Sequence, residues 1–250
     1  ACRAVVTMRR LAPEEALEVT RIYSAAGQFR AGADGHRAGL ITVRPVRSPH
    51  HTASAIAVIG GGTIPKPGEI SLAHRGVLFL DELPEFPRPV LDTLRQPLED
   101  GVVSIARAHS SLSFPARFML VPAMTPTAKG DMPTDAQGRR EMGRYLSRVS
   151  RPLVDRIDVH VEAPAVPWKQ LANGARGTSS AQMRERVLAA LERQRARQGS
   201  TPNARLKGKD LDKLAPLDEE AQTILGQAIT ELGLSARAYD KVRRVARTIA

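Results

Sequence analysis

The sequence predicts an α/β protein, a parallel sheet layered with helices, followed by a smaller all-helical region. Three observations carry this reading. Residues 76–80, Gly-Val-Leu-Phe-Leu, run apolar until Asp81 and Glu82 close them, the pattern of a parallel strand buried on both faces. Short apolar runs alternate with amphipathic helical stretches on either side of it, as a layered α/β domain requires. Past Pro164, Pro167, Gly174 and Gly177, which loosen the chain, the pattern is helical only. The expected organisation is an α/β domain over residues 1–163, a linker over 164–178 and a helical domain over 179–250.

Taken in order, Pro13 precedes a helix over 14–25 whose expected apolar face is Ala16, Leu17, Ile22 and Tyr23, ended by Gly27. Gly32, Gly35 and Gly39 mark a loop, and residues 40–43 read as a short strand. Pro45 and Pro49 hold residues 44–52 extended. An apolar segment over 53–59 is closed by Gly60-Gly61-Gly62, and Pro65, Pro67 and Gly68 build a turn before Glu69. The run ending in Asp81-Glu82 takes the centre of the sheet. Residues 89–98 follow as a helix with Val90, Leu91, Leu94 and Leu98 on one stripe. Residues 102–105 and 111–114 suggest a hairpin, and 118–121 and 159–162 read as two further strands. In the C-terminal region Ser179 or Ser180 caps a helix to about residue 198, with Met183, Val187, Leu188 and Leu191 at helical spacing. A second helix follows Asp218 and stops at Gly233, and a last one is capped by Ser235 and carries Tyr239, Val242 and Val245 inward.

Of the 250 residues 42% are hydrophobic and 25% charged, which excludes collagen-like, coiled-coil and disordered classes. No apolar run approaches the roughly 20 residues of a membrane helix, and the apolar stretch in residues 1–6 is too short for a secretory core. A cytoplasmic protein without a membrane partner is expected. The single cysteine, Cys2, rules out an internal disulfide and a cysteine-built zinc cage. Lys and Arg number 37 against 26 Asp and Glu, a net charge of +11, which favours polyanionic partners through long-range attraction. From residue 181 onward 14 basic residues face 9 acidic ones, so the excess is spread along the chain. Aromatic residues make up 4%, too few for a platform that stacks single-stranded bases. Nucleic-acid contact would be mainly to phosphates.

The carboxyl ends of the strands are where open α/β sheets bind ligands, and Asp81 and Glu82 fall at such an end. There the first acid suits a Mg²⁺ held through its water shell and the second orients an attacking water, the form of a Walker B element. A plainer reading is an acidic cap at a strand-to-helix turn. His50 and His51 are adjacent, so on an extended segment their rings point to opposite sides and serve one metal poorly. Contact with DNA phosphate or a neighbouring subunit, or simple loop packing, is left for them. Arg184, Arg186, Arg193, Arg195 and Arg197 read as the solvated face of a helix, with DNA contact as the alternative.

The stretch Arg44-Pro45-Val46-Arg47-Ser48-Pro49-His50-His51-Thr52, the triple glycine at 60–62 and the string from Pro67 through Asp81-Glu82 to Phe86 resemble the magnesium-chelatase-related AAA+ ATPases in their competence ComM/YifB branch. The resemblance continues through Leu94-Arg95-Gln96-Pro97-Leu98-Glu99-Asp100-Gly101, Phe114-Pro115-Ala116-Arg117-Phe118, Tyr145-Leu146-Ser147-Arg148 and Asp155-Arg156-Ile157-Asp158 to Leu234-Ser235-Ala236-Arg237-Ala238-Tyr239-Asp240. It implies an AAA+ P-loop-type sheet with a small helical lid, ATP and Mg²⁺ as cofactors, a homo-oligomeric ring, usually a hexamer, and DNA as the moved substrate. On it Asp81 and Glu82 are the Walker B pair, Arg156 the arginine finger that reaches a neighbour's γ-phosphate, and Arg237 the sensor 2 of the lid. A guanidinium suits both arginine roles because it stays charged and forks onto phosphate oxygens. Without the resemblance, Arg156 reads as an ion-pair partner of Asp155 or Asp158 and Arg237 as a surface helix residue.

The sequence also departs from that family. No Gly-x-x-x-x-Gly-Lys-Ser/Thr string occurs in it, although that string supplies the amides and lysine that hold the β and γ phosphates. The expectation is a chain that starts past the P-loop and its central strand, a fragment with weak or no nucleotide affinity and a gap in its sheet. Thr125 stands where the family carries the sensor 1 asparagine, and Thr127-Ala128-Lys129-Gly130-Asp131 replaces a cysteine cluster, so no zinc is expected. Two alternatives to an ATP-driven DNA motor are a non-catalytic ATPase remnant that lends Arg156 to intact subunits, and an ATPase subunit of a metal chelatase.

Overall fold

A computed structural model describes residues 8–29, 36–37, 39–107, 110–125, 127, 135–163, 168 and 177–250. The expected loop glycines Gly32 and Gly35, Cys2, most of the 164–178 linker and residues 128–131 lie outside the described residues. The chain divides into two compact units, residues 1–157 and 158–250.

In the first unit helix α1 (Pro13–Ala25) starts on Pro13, whose missing N–H costs nothing at that position, while the Glu15 carboxylate accepts from the Ala12 N–H at 3.1 Å. Its buried stripe is Ala16, Val19, Thr20 and Ile22. The expected Leu17 is 45% exposed, because the helix turns its Ala16–Val19–Thr20 side to the strand that follows. The Thr20 hydroxyl ties the two, donating to Ala16 O at 2.7 Å and accepting from Ile41 N at 2.9 Å. That strand, β2 (Leu40–Ile41), pairs antiparallel with β1 (His36–Arg37) and is shorter than the expected 40–43, with Val43 exposed.

Strand β3 (Val46–Arg47) leads through a turn into helix α2 (Ala55–Ile59), capped by the Ser54 side chain. The triple glycine has a backbone reason: Gly60, Gly61 and Gly62 sit at φ of 105°, 126° and 100°, and a Cβ on Gly60 would lie 2.5 Å from Lys66 O. This bend makes the hairpin β4 (Gly60–Gly61) with β5 (Lys66–Pro67), followed by α3 (Glu69–Leu72).

Strand β6 (Val77–Leu80) is the centre of a three-stranded parallel sheet ordered β3-β6-β9, where β9 is Met119–Pro122. Val46 pairs with Val77, and Val77 to Leu80 pair with Met119 to Pro122. Leu78 and Leu80 are fully buried, and the core around them gathers Val58, Ile70, Leu83, Phe86, Leu91 and Leu153. The single helix expected over 89–98 is two, α4 (Arg88–Thr93) and α5 (Arg95–Asp100). Pro97 explains the break, since it has no N–H to give to Thr93 O. The expected hairpin forms as β7 (Val102–Arg107) with β8 (Ser110–Pro115). Helices α6 (Ala136–Leu146), capped by Asp135, and α7 (Arg151–Val154) complete the unit. The strand expected over 159–162 is not one: Val159 and Val161 are 61% and 82% exposed in irregular chain. Alternating valines need a neighbouring strand to pair with, and β9 pairs only with β6 among the described residues.

The second unit is helical. Helix α8 (Ser180–Gln198) is capped by Ser179, one of the two serines expected, which forms a capping box with Gln182. Helix α9 (Gly208–Leu214) follows, then α10 (Glu219–Leu232), capped by Asp218 and ended by Gly233 at φ 59°, and α11 (Ala236–Ile249), capped by Ser235. Leu206, Leu211 and Ala215 form its small core. Val242 is not inward as expected; it is 40% exposed, and the buried residue of α11 is Arg243. Its guanidinium donates to Leu211 O at 3.3 Å, Ala215 O at 3.0 Å and Asp212 Oδ1 at 2.9 Å, satisfying carbonyls that end α9.

Candidate active site at the carboxyl edge of the sheet

Because β3, β6 and β9 are parallel, the segments that leave them share one edge. Those segments are Ser48 to Thr52, Asp81-Glu82 and Ala123 to Thr125. The sheet therefore collects His50, His51, Asp81, Glu82 and Thr125 on the side where ligands of such sheets bind. Both acids are exposed.

The turn after β6 is tightly specified. Ala123 N donates to Leu80 O at 2.8 Å and Leu83 N to Ala123 O at 2.9 Å, which fastens the turn to the end of β9. Glu82 N donates to Asp81 Oδ1 at 3.1 Å, and a carboxylate has further lone pairs with which to accept. Glu82 itself adopts φ 51° and ψ 49°, the left-handed region, which costs a residue with a Cβ about 1–2 kcal/mol. Strain of this kind persists where the surroundings over-determine the backbone.

The histidines do not part as expected. Ala53 N donates to His50 O at 2.9 Å, so residues 50–53 form a turn, and the His50 and His51 rings lie against each other with centroids 4.1 Å apart and planes tilted by 35°. His51 Nδ1 lies 3.1 Å from Glu82 Oε2, and its ring meets Phe86 edge-on at 6.3 Å. His50 Nδ1 faces the Thr52 hydroxyl at 2.9 Å and backbone N–H at 3.3 Å.

Thr125 gives its hydroxyl proton to Thr127 O at 2.6 Å. Beside it stands Tyr145 of α6, 8% exposed. Burial pushes its phenol up, a hydrogen bond with Thr125 opposes this, and the charges of Glu85 and Glu82 add to it. Arg148 pairs with Glu85 at 3.1 Å and lies over the Tyr145 ring at 5.5 Å. An open depression of about 380 Å³, lined by Pro84, Glu85, Phe86, Arg88, Ser147 and Arg148, adjoins this group. Glu85, Tyr145 and Arg148 were given no role from their residue types, although all three fall within strings that carry the resemblance.

Arg156 follows α7 in the same unit, and its guanidinium engages Glu99 and the Pro152 carbonyl rather than Asp155 or Asp158. Arg237 is exposed in the first turn of α11, in the second unit.

At the opposite, amino edge lies a charge network that residue patterns did not reveal. His74, 1% exposed, accepts from Arg117 N at Nδ1 and meets Glu18 Oε2 at Nε2, both at 3.0 Å. Its Nε2 therefore carries the proton, and burial holds the ring's pKa below 6.5. The Arg75 guanidinium, 2.8 Å from Glu18, brings that carboxyl down to about 2, with burial opposing and His74 assisting. Arg44 and Arg9 join through Glu15 at 3.0 and 3.1 Å.

Asp81 and Glu82 supply hard oxygens suited to a Mg²⁺ that keeps most of its waters. Among the described residues no group of three or more His, Cys, Asp or Glu could hold a metal by itself, so such a cation would rely on waters and a phosphate. No helix of the described residues is long and apolar enough to cross a membrane.

The sequence matches the family described as Magnesium chelatase, subunit ChlI, over residues 1–171, and its C-terminal counterpart over 177–250. It is 51% identical over 211 residues to the Competence protein ComM of Haemophilus influenzae, covering 83% of this chain and 41% of that protein. YifB of Salmonella typhimurium is 47% identical over 214 residues, 83% of this chain and 41% of that protein. YifB of Escherichia coli is 43% identical over 247 residues, 96% of this chain and 47% of that one. The chain thus spans less than half the length of these relatives. With both of its units matched and the paired acids standing at the end of the central parallel strand, the chain belongs to the magnesium chelatase ChlI family of AAA+ ATPase modules.

Proposed function

We propose that the carboxyl edge of this sheet is the hydrolytic half of a Mg²⁺-dependent ATPase site, in a subunit of a ring that moves DNA. The observation that carries the reading is the placement of Asp81 and Glu82 at the end of β6. Asp81 would hold the cation through water, and the cation when bound would neutralise phosphate charge. Glu82 would orient the attacking water and draw off its proton, with the Thr125 hydroxyl beside it. Arg156 would leave Glu99 to reach a neighbouring subunit's phosphate, and Arg237 would be the sensor 2 arginine of the helical unit. The +11 charge and the similarity to the Competence protein ComM of Haemophilus influenzae support DNA as the substrate; the reading also takes a cytoplasmic setting and a homo-oligomer, a hexamer in the usual ring.

No P-loop string occurs in the 250 residues, so their own grip on phosphate is weak. This favours a second reading, a non-catalytic module that docks on intact subunits and contributes Arg156. Titrating labelled ATP with Mg²⁺ into the protein decides between the two. Saturation in the millimolar range is expected; micromolar binding would overturn the claim of a weak phosphate grip. A folded protein that shows no saturation supports the docking module instead.

A further inference from the structure

We propose that His51 is a positioning residue that sets where the Glu82 carboxylate points. The inference rests on the reading of Glu82 as the group that acts on water. Its geometry comes from two neighbouring parallel strands: the turn after β3 carries His51 and the turn after β6 carries Glu82. His51 Nδ1 lies 3.1 Å from Glu82 Oε2. An ionised carboxylate only accepts, so Nδ1 must carry the proton.

The imidazole is itself fixed on two sides. His50 packs against it at 4.1 Å with the planes tilted by 35°, and the buried Phe86 meets it edge-on at 6.3 Å. His50 in turn is locked by Thr52, whose backbone N–H donates to His50 Nδ1. His50 thus has Nδ1 as an acceptor and its proton on Nε2, whereas His51 carries a proton on Nδ1. The left-handed Glu82 backbone aims its side chain back toward the β3 turn, where His51 receives it. A ligand arriving at the edge would find the carboxylate already oriented, and would have to share it with the imidazole.

Long-range ¹H–¹⁵N spectra of the intact 250-residue protein read this directly. The expected result is an Nδ1–H tautomer at His51 that reverts to Nε2–H in Glu82→Ala, while His50 stays Nε2–H in both. Glu82 backbone shifts should leave the left-handed range in His51→Ala and stay in it in His51→Asn, whose amide can donate from the same place. An Nε2–H tautomer at His51 in the unaltered protein, or Glu82 shifts untouched by His51→Ala, would overturn the proposal. With Mg·ATP turnover as a further readout, His51→Ala should lower kcat several-fold at unchanged KM, and His51→Asn should restore it. An unchanged kcat would also overturn the proposal. Absence of turnover in every protein, the unaltered one included, would sink the ATPase reading, and the tautomer would still decide the role of His51.

Discussion

Replacing His74 by phenylalanine probes the network at the amino edge of the sheet. The ring is 1% exposed and uses both nitrogens, one accepting from Arg117 N and one donating to Glu18. Phenylalanine keeps the bulk but leaves the Arg117 N–H without its acceptor, a loss of about 1–3 kcal/mol. The hydrogen bond to a carboxylate adds to this, so a total of about 3 kcal/mol at pH 8 is expected. The cost should then shrink in acid. Because the folded ring's pKa lies below 6.5, the unfolded chain takes up the proton first as pH falls. The stability that neutral His74 provides is fully present above pH 6.5 and is lost as pH falls through and below it. At pH 5.5 that loss reaches at most about 1.4 kcal/mol, while the phenylalanine variant has nothing to titrate there. Urea unfolding followed through the backbone signals of Val77 and Leu78, which belong to the same unit, measures the difference at pH 8 and 5.5. A difference that stays constant, or widens in acid, would refute the neutral, Nε2-protonated assignment.

Other consequences are equally direct. Glu18→Gln should cost about 1 kcal/mol at neutral pH: the pull of its carboxyl down to about 2 corresponds to about 3 kcal/mol, but its side chain is 43% exposed and water screens most of that; urea melts at pH 7.5 check it. Gly76→Ala would put a Cβ 1.9 Å from Pro45 O, so it should separate β3 from β6 and destabilise the first unit by about 3 kcal/mol or more, visible as early loss of the Val77 amide in hydrogen exchange. Arg243→Met should leave the Ala215 carbonyl without its guanidinium donor and cost about 2 kcal/mol in the helical unit, lowering the unfolding midpoint of α11 signals while those of β6 stay put.

What the residues revealed follows from where the interactions are local. The apolar run before Asp81-Glu82 announces its own burial, and Ser179, Asp218, Ser235 and Gly233 announce helix ends, because a cap is satisfied within four residues of itself. The β7–β8 hairpin is likewise local. Where the outcome depends on a distant partner, pattern misled. Residues 159–162 alternate like a strand yet pair with none among the described residues. Val242 has the spacing of a core residue, but Arg243 takes the interior because the α9 carbonyls need a donor. At the candidate site the acids were legible from the strand they end. The contact of the His50 and His51 rings was not, since it depends on one hydrogen bond from Ala53 that bends the chain. The Tyr145–Thr125 contact joins α6 to the end of β9, a pairing invisible until the sheet is assembled.

On the proposed reading the carboxyl edge takes a metal–triphosphate complex. Millimolar Mn²⁺ with ATP, added to the ¹⁵N-labelled protein, tests it through paramagnetic broadening. Signals of residues 48–52, 81–82 and 123–125 should vanish first, those of His74 and Arg75 at the amino edge should persist, and Asp81→Asn should restore the lost ones. Uniform broadening, or broadening centred on the amino edge or left intact by Asp81→Asn, would contradict it.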